Sequence, residues 1–243
     1  MISVDRLTKL YGELKAVDQL SFTVAPHEIV GLIGPNGAGK TSTLRCIAGI
    51  HRPSSGKVSV GGHDLVSEPV EAKRLLAFIA DEPQLFEYLT VSEHLQLIAR
   101  IYKVADAPAR FTQLLAELQL TEKANALASE LSRGMKQKVA IACGLLHEPR
   151  ALVLDEPLTG LDPGAIVKMK DTIVSRARAG AAVVVSSHLL HLVEAICTRI
   201  VIVHRGAKVA DGTLDELRAQ AQASGRGSTL EQIFMSATEP DQA

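Results

Sequence analysis

The chain has 243 residues, of which 47% are hydrophobic and 22% are charged, and its formal net charge is -1. These values are typical of a globular protein with a sizeable core, and the length suits one α/β unit that carries a subdomain. Proteins that bind nucleic acids usually carry clusters of Lys and Arg and are clearly basic, so we expect no nucleic-acid partner.

The sequence carries no pattern typical of secreted or membrane-spanning proteins. The first ten residues, MISVDRLTKL, mix charges with apolar residues, so we expect no signal peptide. No apolar run approaches the ~18 residues that a membrane-spanning helix needs. Cys46, Cys143 and Cys197 are far apart, whereas disulfide frameworks and zinc sites use closely spaced pairs. We therefore expect reduced cysteines and a cytoplasmic protein.

A strand, a glycine-rich loop and a helix are predicted in succession near the N-terminus. Residues 28–33 (EIVGLI) form a short apolar run, and the residues after Gly39 (KTSTLRCIAGI) suit a helix that Gly49 can end. The loop between them fits the pattern G-x-x-x-x-G-K-[ST], whose glycines let backbone N–H groups turn toward a phosphate. The following helix adds its positive end. The pattern in this context predicts nucleotide binding rather than an ordinary glycine turn.

The phosphate loop supplies most of the predicted ATP site. Lys40 is expected to reach the β- and γ-phosphates, and the Thr41 hydroxyl is expected to ligate Mg²⁺. The residues predicted to bind ATP here are Gly34, Pro35, Asn36, Gly37, Ala38, Gly39, Lys40, Thr41 and Ser42.

Helical periodicity dominates the middle of the chain. It is present in VSEHLQLIARIYKV and again in ARFTQLLAELQL, and Thr90 with Glu93 forms a capping box before the first of these segments. We expect an all-helical insertion over residues 85–147. Leu85, Phe86, Tyr88 and Leu89 at its start are candidates for an exposed docking patch, although a place in the core is an equal alternative.

An apolar strand that ends in two carboxylates follows the helical segment. Residues 151–154 are apolar, as are 181–185 and 200–203, which is typical of strands buried on both faces of a parallel sheet. Adjacent side chains of a strand point in opposite directions, so Asp155 can serve Mg²⁺ while Glu156 polarises a water in line with the γ-phosphate. A solvated acidic strand end is the alternative, which the phosphate loop disfavours.

The C-terminal part is predicted to be helical and then polar. DGTLDELRAQ indicates one more helix, and the Gly/Ser-rich stretch SGRGS precedes a short LEQIFM segment. We expect the polar tail, ATEPDQA, to be disordered.

The segment LSRGMKQK, residues 131–138, resembles the signature motif of the ATP-binding cassette (ABC) family. Independently of that resemblance, Ser132 is a good N-cap, Gly134 permits close backbone approach, and a helix to about His147 would offer a second anion site. A merely structural capped helix remains an alternative. The resemblance implies a head-to-tail dimer in which the signature contacts the ATP of the opposite subunit through Ser132, Arg133, Gly134 and Met135.

Other positions match the same family in order, over roughly residues 1–215. The resemblance implies that Tyr11 stacks on adenine and that His188, after the strand AVVVSS, contacts the γ-phosphate. The loop LTGLD would communicate across the dimer through Gly160, Leu161 and Asp162. The expected catalytic residues are thus Glu156, His188 and Lys40, and the expected metal ligands are Thr41, Asp155 and Asp81.

Two departures from the family pattern stand out. Asp81 occupies the position of a glutamine that senses Mg²⁺, with Gln84 three residues later, and either residue could do that work. Arg133 and Met135 replace the commonest glycine and glutamine of the signature. This form of the signature is similar to cassettes of the drug, antibiotic and lipid export type, often called ABC-2.

The resemblance implies an α/β P-loop NTPase fold of ABC type. It has a mostly parallel central sheet, an N-terminal antiparallel β subdomain and an inserted all-helical subdomain. The expected divisions are 1–84 with 148–212 for the ATP-binding core, 85–147 for the helical subdomain and 213–243 for a C-terminal extension.

The function that the resemblance implies is that of an ATP-hydrolysing motor subunit of a transporter, most similar to exporters. Its partners would be a membrane-spanning permease on a separate chain and a second copy of itself or a homologous cassette. The chain would then lie on the inner face of the cell membrane. A soluble ABC ATPase without a transport role is the alternative, and a cassette that binds ATP without turnover is a third.

Overall fold

A computed structural model describes residues 1–223 and 229–238. The predicted Gly/Ser-rich stretch at 224–228 lies outside the described residues. The expected disorder of the polar tail concerns residues 237–243, of which 239–243 also lie outside, while the first two belong to the last described helix.

The described chain contains both strands and helices. The strands are β1 (Ile2–Tyr11), β2 (Leu14–Val24), β3 (Ile29–Ile33), β4 (Ser55–Val60), β5 (His63–Asp64), β6 (Leu76–Ile79), β7 (Ala151–Asp155), β8 (Ala182–Ser186), β9 (Arg199–His204) and β10 (Ala207–Gly212). The helices are α1 (Lys40–Ile47), α2 (Pro69–Arg74), α3 (Val91–Tyr102), α4 (Ala107–Glu117), α5 (Arg133–Leu145), α6 (Pro163–Arg178), α7 (Leu190–Ile196), α8 (Leu214–Ala223) and α9 (Leu230–Thr238).

A six-stranded sheet, in the order β10-β9-β3-β8-β7-β6, forms the centre of the described structure. Its neighbours are parallel except for the antiparallel pair of β9 and β10. Every residue of β3, β7 and β8 is buried, which is why these segments are nearly continuous apolar runs. Because β3 and β7 both flank β8, the ends of these three strands lie side by side.

A second, antiparallel sheet of the described chain has the order β2-β1-β4-β5. Its apolar side chains share one buried cluster with α1 and with one face of the central sheet. The expected combination of a mostly parallel central sheet and an N-terminal antiparallel part is therefore confirmed.

The inserted segment at 85–147 contains α3, α4, α5 and two short 3₁₀ turns. The capping box is present: the Glu93 amide donates to Thr90 Oγ1 at 3.2 Å, and the Thr90 amide donates to Glu93 Oε2 at 2.7 Å. The segment shares a hydrophobic cluster with the central sheet, since Leu95 and Val139 pack together with Leu152 and Val183. The division at 85–147 therefore remains a prediction about the fold, because one core crosses it.

The bounds of α4 differ from the sequence pattern, whereas the end of α1 agrees with it. The segment ARFTQLLAELQL predicts a helix to Leu120, but α4 begins at Ala107 and ends at Glu117. Gln119 takes a left-handed backbone conformation with φ of 58°, which an α-helix cannot continue through. The helix after Gly39 ends as expected, with Gly49 at φ of 63° just beyond it.

The C-terminal helices α8 and α9 pack on the far edge of the central sheet. Leu217, Leu230 and Ile233 share a buried cluster with Ile200 and Ile202 of β9. Across residues 1–223 and 229–238, no helix has the length and apolarity that crossing a membrane requires.

Candidate active site

The loop from Gly34 to Gly39 joins β3 to α1 and is enclosed by neighbouring backbone. A Cβ atom on Gly34 would lie 2.3 Å from the Val203 carbonyl oxygen of β9. A Cβ on Gly39 would lie 2.3 Å from the Ala16 carbonyl oxygen, and Gly39 has φ of 98°. Glycine is therefore required at both positions, at Gly34 by space and at Gly39 by space and conformation.

Lys40, the first residue of α1, turns its buried side chain back over the loop. Its ammonium group donates hydrogen bonds to the carbonyl oxygens of Gly34 at 2.7 Å and Pro35 at 3.1 Å. Burial lowers the pKa of Lys40, and the nearby carboxylates of Glu156 and Asp155 partly oppose this shift. The loop thus holds a cation close to the backbone that would surround a phosphate.

Asp155 is buried at the carboxyl end of β7. Its Oδ1 accepts a hydrogen bond from Ser186 Oγ at 2.7 Å and a longer one from Thr41 Oγ1 at 3.4 Å. The register that places Asp155 opposite Ser186 of β8 makes the first contact possible. The loop and the strand end predicted from separate stretches of sequence therefore meet.

Glu156 follows Asp155 in a left-handed backbone conformation, with φ of 48°. Such a conformation costs a non-glycine residue on the order of 1 kcal/mol and is common at functional sites. The Glu156 amide donates to Ser186 Oγ at 3.0 Å, which anchors the turn. His188 Nδ1 lies 2.8 Å from Glu156 Oε2, and because a carboxylate can only accept, Nδ1 carries the proton in this contact.

Most of these residues line one cleft with a volume of ≈ 470 Å³. The predicted site residues that line it are Tyr11, Asn36, Gly37, Ala38, Gly39, Lys40, Thr41, Ser42, Asp81, Asp155, Glu156 and His188. Gly34 and Pro35 are not in this lining and instead supply the carbonyl oxygens that hold Lys40. Gln84 is not among the residues that line this cleft, so the structure brings Asp81 and not Gln84 to it.

The sequence patterns missed four residues of this region. Leu14, Ala16 and Thr159 also line the cleft, and Ser186 holds Asp155 from behind. Two of them carried a signal: Ser186 is a hydroxyl at the end of an otherwise apolar strand, and Thr159 lies within the LTGLD loop that the family resemblance singled out. Leu14 and Ala16 had no signal, since an exposed Leu and an Ala are common anywhere.

The signature segment lies outside the cleft lining of its own chain. Ser132 is the N-cap of α5 and accepts a hydrogen bond from the Met135 amide at 3.3 Å. A Cβ on Gly134 would lie 2.9 Å from the Gly160 carbonyl oxygen, so the signature packs on the loop that ends at Asp162. The side chain of Arg133 donates to Asp81 Oδ1 at 3.2 Å. The signature thus adjoins the cleft through Asp81.

The loop of Gly160, Leu161 and Asp162 leads into α6. Asp162 is the N-cap of that helix and accepts the Ala165 amide at 2.9 Å, a hydrogen bond that lowers the pKa of Asp162. This capping explains the local shape of the loop without any partner.

A second, more apolar cavity of ≈ 380 Å³ lies between β6, α3 and α5. Gln84, Leu85 and Phe86 line it. Of the predicted docking residues, Phe86 is 63% exposed and Tyr88 is 87% exposed, whereas Leu85 packs against the core and Leu89 is half-buried. The patch is thus partly surface and partly core.

Comparisons with known proteins agree with this arrangement. A family model described as ABC transporter matches residues 17–159. The chain is 36% identical to the ABC-type transporter ATP-binding protein EcsA of Bacillus subtilis (strain 168), over 99% of this chain and 98% of that protein. It is 34% identical to the SkfA peptide export ATP-binding protein SkfE of the same organism, over 91% and 93% of the two chains.

Solved structures give the same result. A structure of the ATP-binding subunit of an ABC transporter matches with a TM-score of 0.92 at 36% identity, over 98% of this chain and 100% of that one. A dimeric bacterial ABC transporter cassette matches with a TM-score of 0.80 at 25% identity, over 88% and 98% of the two chains.

The fold and the cleft together define a P-loop ATPase of the ATP-binding cassette type. The chain belongs to the ABC transporter family.

Proposed function

We propose that this chain is the ATP-hydrolysing motor of an export system, working as a pair of cassettes on a separate membrane permease. The observation that carries the proposal is the contact between Glu156 and His188 in the cleft that the phosphate loop and Asp155 also line. A base, a cation-binding carboxylate and a phosphate loop are together the parts that phosphoryl transfer to water requires.

Phosphate binding falls to the loop and to Lys40. The N–H groups of the loop and the N-terminus of α1 form an anion site, to which Lys40 adds a positive charge. Lys40 would exchange its two carbonyl partners for the β- and γ-phosphates of ATP. Because those partners hold the ammonium group in place beforehand, little of its conformational freedom remains to be lost on binding.

The polar groups around Asp155 fit a magnesium ion. Mg²⁺ prefers oxygen ligands and usually takes one or two carboxylates together with substrate phosphates. Thr41 Oγ1 and Asp155 Oδ1 are oxygens 3.4 Å apart, and Asp81 adds a third oxygen donor to the cleft. When bound, the ion neutralises charge that builds up on the β- and γ-phosphates. We assign Thr41 and Asp155 as its ligands, directly or through water.

Glu156 is the proposed general base. It would accept a proton from the water that attacks the γ-phosphate, and its strained backbone holds the carboxylate in one position. His188 orients this carboxylate through Nδ1, and a protonated His188 would donate its second N–H to a phosphate oxygen. Tyr11 would stack on the adenine.

The signature is proposed to act on a second subunit. Ser132, Gly134 and the N-terminus of α5 form a potential anion site that does not line the cleft of its own chain. In a head-to-tail pair this site would meet the γ-phosphate held by the partner, with Arg133 and Met135 beside it. Gly160, Leu161 and Asp162 adjoin the signature and would lie at the same interface.

The permease is proposed to dock on the apolar cavity beside α3 and α5. The exposed ring of Phe86, which lines this cavity, and the exposed ring of Tyr88, two residues later in the chain, would be covered by a cytoplasmic segment of that partner. Asp81 lies only a few residues earlier and reaches the nucleotide cleft, so the same loop would link permease and ATP. The chain would then be peripheral on the inner face of the membrane.

The proposed export direction rests on similarity to other cassettes. The signature form and the relative named for peptide export favour it. A soluble cassette ATPase is the other candidate, and the exposed ring of Phe86 at the cavity argues against it.

Fractionation of the native cells tests the proposal. We expect the chain to sediment with membranes and to co-purify in mild detergent with a polypeptide that has several apolar spans. Recovery of the chain as a freely soluble protein, alone or on ribosomes, would contradict the transport role and leave the ATPase assignment intact.

A further inference from the structure

Tyr11 is an exposed aromatic ring at the edge of the nucleotide cleft. Among the described residues that line the cleft, it carries the only phenol ring, and Leu14 and Ala16 lie near it in sequence. Stacking of a base on an aromatic side chain contributes about 1–3 kcal/mol, provided that the ring is held in a suitable orientation. The side chain is 41% exposed, so the core does not provide that orientation.

The Tyr11 ring is held by His51. The Tyr11 hydroxyl lies 2.6 Å from His51 Nδ1, and the two rings meet edge to face with centroids 5.7 Å apart. Lys9 Nζ lies 5.0 Å from the centre of the Tyr11 ring. One hydrogen bond, one ring contact and one cation thus act on a side chain that solvent would otherwise leave mobile.

His51 is itself attached to the helix that follows the phosphate loop. The amides of Ile50 and His51 both donate to the Arg45 carbonyl oxygen, at 2.9 and 3.1 Å, in the last turn of α1. Helix α1 begins at Lys40. A continuous set of contacts therefore runs from the phosphate loop through α1 to His51 and then to the Tyr11 ring.

The same segment also anchors the end of strand β1. The Leu10 amide donates to Ser54 Oγ at 2.9 Å, and the Ser54 amide donates to the Thr8 carbonyl oxygen at 2.8 Å. The backbone of Tyr11 is thus positioned by residues close to the one that holds its ring.

We propose that His51 is a positioning residue for nucleotide binding, which sets the orientation of the Tyr11 ring relative to the phosphate loop. The inference rests on the proposed role of Tyr11 against adenine. His51 acts only through Tyr11 and does not contact the phosphates. Partial burial and the positive charges of Arg45 and Lys9 lower the pKa of His51. This favours the neutral ring, whose Nδ1 can accept the hydrogen bond from the Tyr11 hydroxyl.

The test measures dissociation constants for ATP and for inorganic triphosphate, which lacks the base. We expect His51→Ala and Tyr11→Phe each to weaken ATP binding about fivefold, as expected for one neutral hydrogen bond. The double variant should be no weaker than either single variant, because both remove the same contact. Binding of inorganic triphosphate should be unchanged in all three.

Two further variants separate positioning from general damage. His51→Asn can keep an acceptor near the Nδ1 position and should restore ATP binding to within about twofold of the original chain. Arg52→Ala alters the exposed neighbour and should have no effect on either ligand. Weaker binding of inorganic triphosphate by His51→Ala, or additive effects of the two single variants, would overturn the inference.

The proposed adenine site at Tyr11 can fail independently of the proposed role of His51. If Tyr11→Ala leaves ATP binding unchanged, Tyr11 does not contact the base and the proposed adenine site is wrong. If Tyr11→Ala weakens ATP binding while Tyr11→Phe and His51→Ala do not, the adenine site stands and only the role of His51 is lost.

Discussion

Asp81 combines a departure from the family pattern with a place in the cleft. It lines the cleft together with Asp155 and Glu156, and its one described partner is the Arg133 guanidinium at 3.2 Å. Both members of this pair are substantially exposed, so the ion pair itself contributes little to stability. Gln84 faces the apolar cavity instead. The position of Asp81 in the cleft therefore favours it over Gln84 as the residue that responds to Mg²⁺.

We expect Asp81→Ala to raise the Mg²⁺ concentration for half-maximal ATPase activity about tenfold. Removal of an oxygen ligand or of a group that orients bound water typically lowers metal affinity by 10–100-fold. The measurement is a titration of ATPase rate against Mg²⁺ at fixed ATP.

Two controls accompany this titration. Gln84→Ala should leave the Mg²⁺ requirement unchanged, and Arg133→Ala should do so as well, since it removes only the partner of Asp81. A larger shift for Gln84→Ala than for Asp81→Ala would assign the magnesium response to Gln84.

At the scale of elements, the phosphate loop depends on the strands around it. Gly34 lies against the carbonyl of Val203 in β9, and Gly39 lies against that of Ala16 in β2. The loop is therefore held between the two sheets. Its shape follows from tertiary contacts as much as from its own glycines.

We expect Gly34→Ala to weaken ATP binding at least tenfold and to lower the free energy of unfolding by roughly 1–3 kcal/mol, because the added methyl group would overlap the Val203 carbonyl. Calorimetric titration and urea unfolding measure the two effects.

Gly62 offers a matched control for this substitution. It lies between β4 and β5 with φ of 90°, and an added Cβ meets nothing within 4 Å. Gly62→Ala should therefore cost about 1–2 kcal/mol from backbone conformation alone and leave ATP binding intact. Equal ATP affinities for the Gly34 and Gly62 variants would show that the contact with β9 is not needed.

At the scale of the whole molecule, the positions of the cleft and the signature favour the pairing of two chains. The cleft is open, and Ser132 to Met135 lie outside its lining. A second anion site on one chain is redundant unless two chains meet, and a closed symmetric pair is the commonest assembly.

We expect Glu156→Gln to lower the ATPase rate at least ~100-fold, since a general base is removed, while ATP binding is retained. The variant should then accumulate as an ATP-bound dimer, which sedimentation with and without ATP would detect. Adding Gly134→Ala to this variant should weaken the dimer, because a methyl group at that position would push the signature away from the Gly160 loop. An unchanged ATPase rate would contradict the role of Glu156, and a monomer at saturating ATP would contradict the pairing.

Much of the fold could be predicted because its signals are local. The buried strands β3, β7 and β8 are nearly continuous apolar runs, and the capping box of α3 is formed by Thr90 and Glu93, which are three residues apart. The helical pattern of ARFTQLLAELQL continues three residues past the end of α4, since no glycine marks the left-handed turn at Gln119. The predicted division at 85–147 cuts across a hydrophobic core that the helical segment shares with the central sheet.

By itself, the sequence determined the phosphate loop and the paired carboxylates, because each depends on residues close together in the chain. Its resemblance to the ABC family supplied the class of the protein and other predicted cleft residues such as Tyr11 and His188. Only the tertiary structure decided which distant groups meet. The sheet order places β3 and β7 on either side of β8, which brings Thr41 to Asp155 and lets Ser186 hold the side chain of Asp155 and the backbone of Glu156. The placement of Asp81 rather than Gln84 in the cleft and the contact of Tyr11 with His51 arise in the same way, from chain segments that local patterns cannot relate.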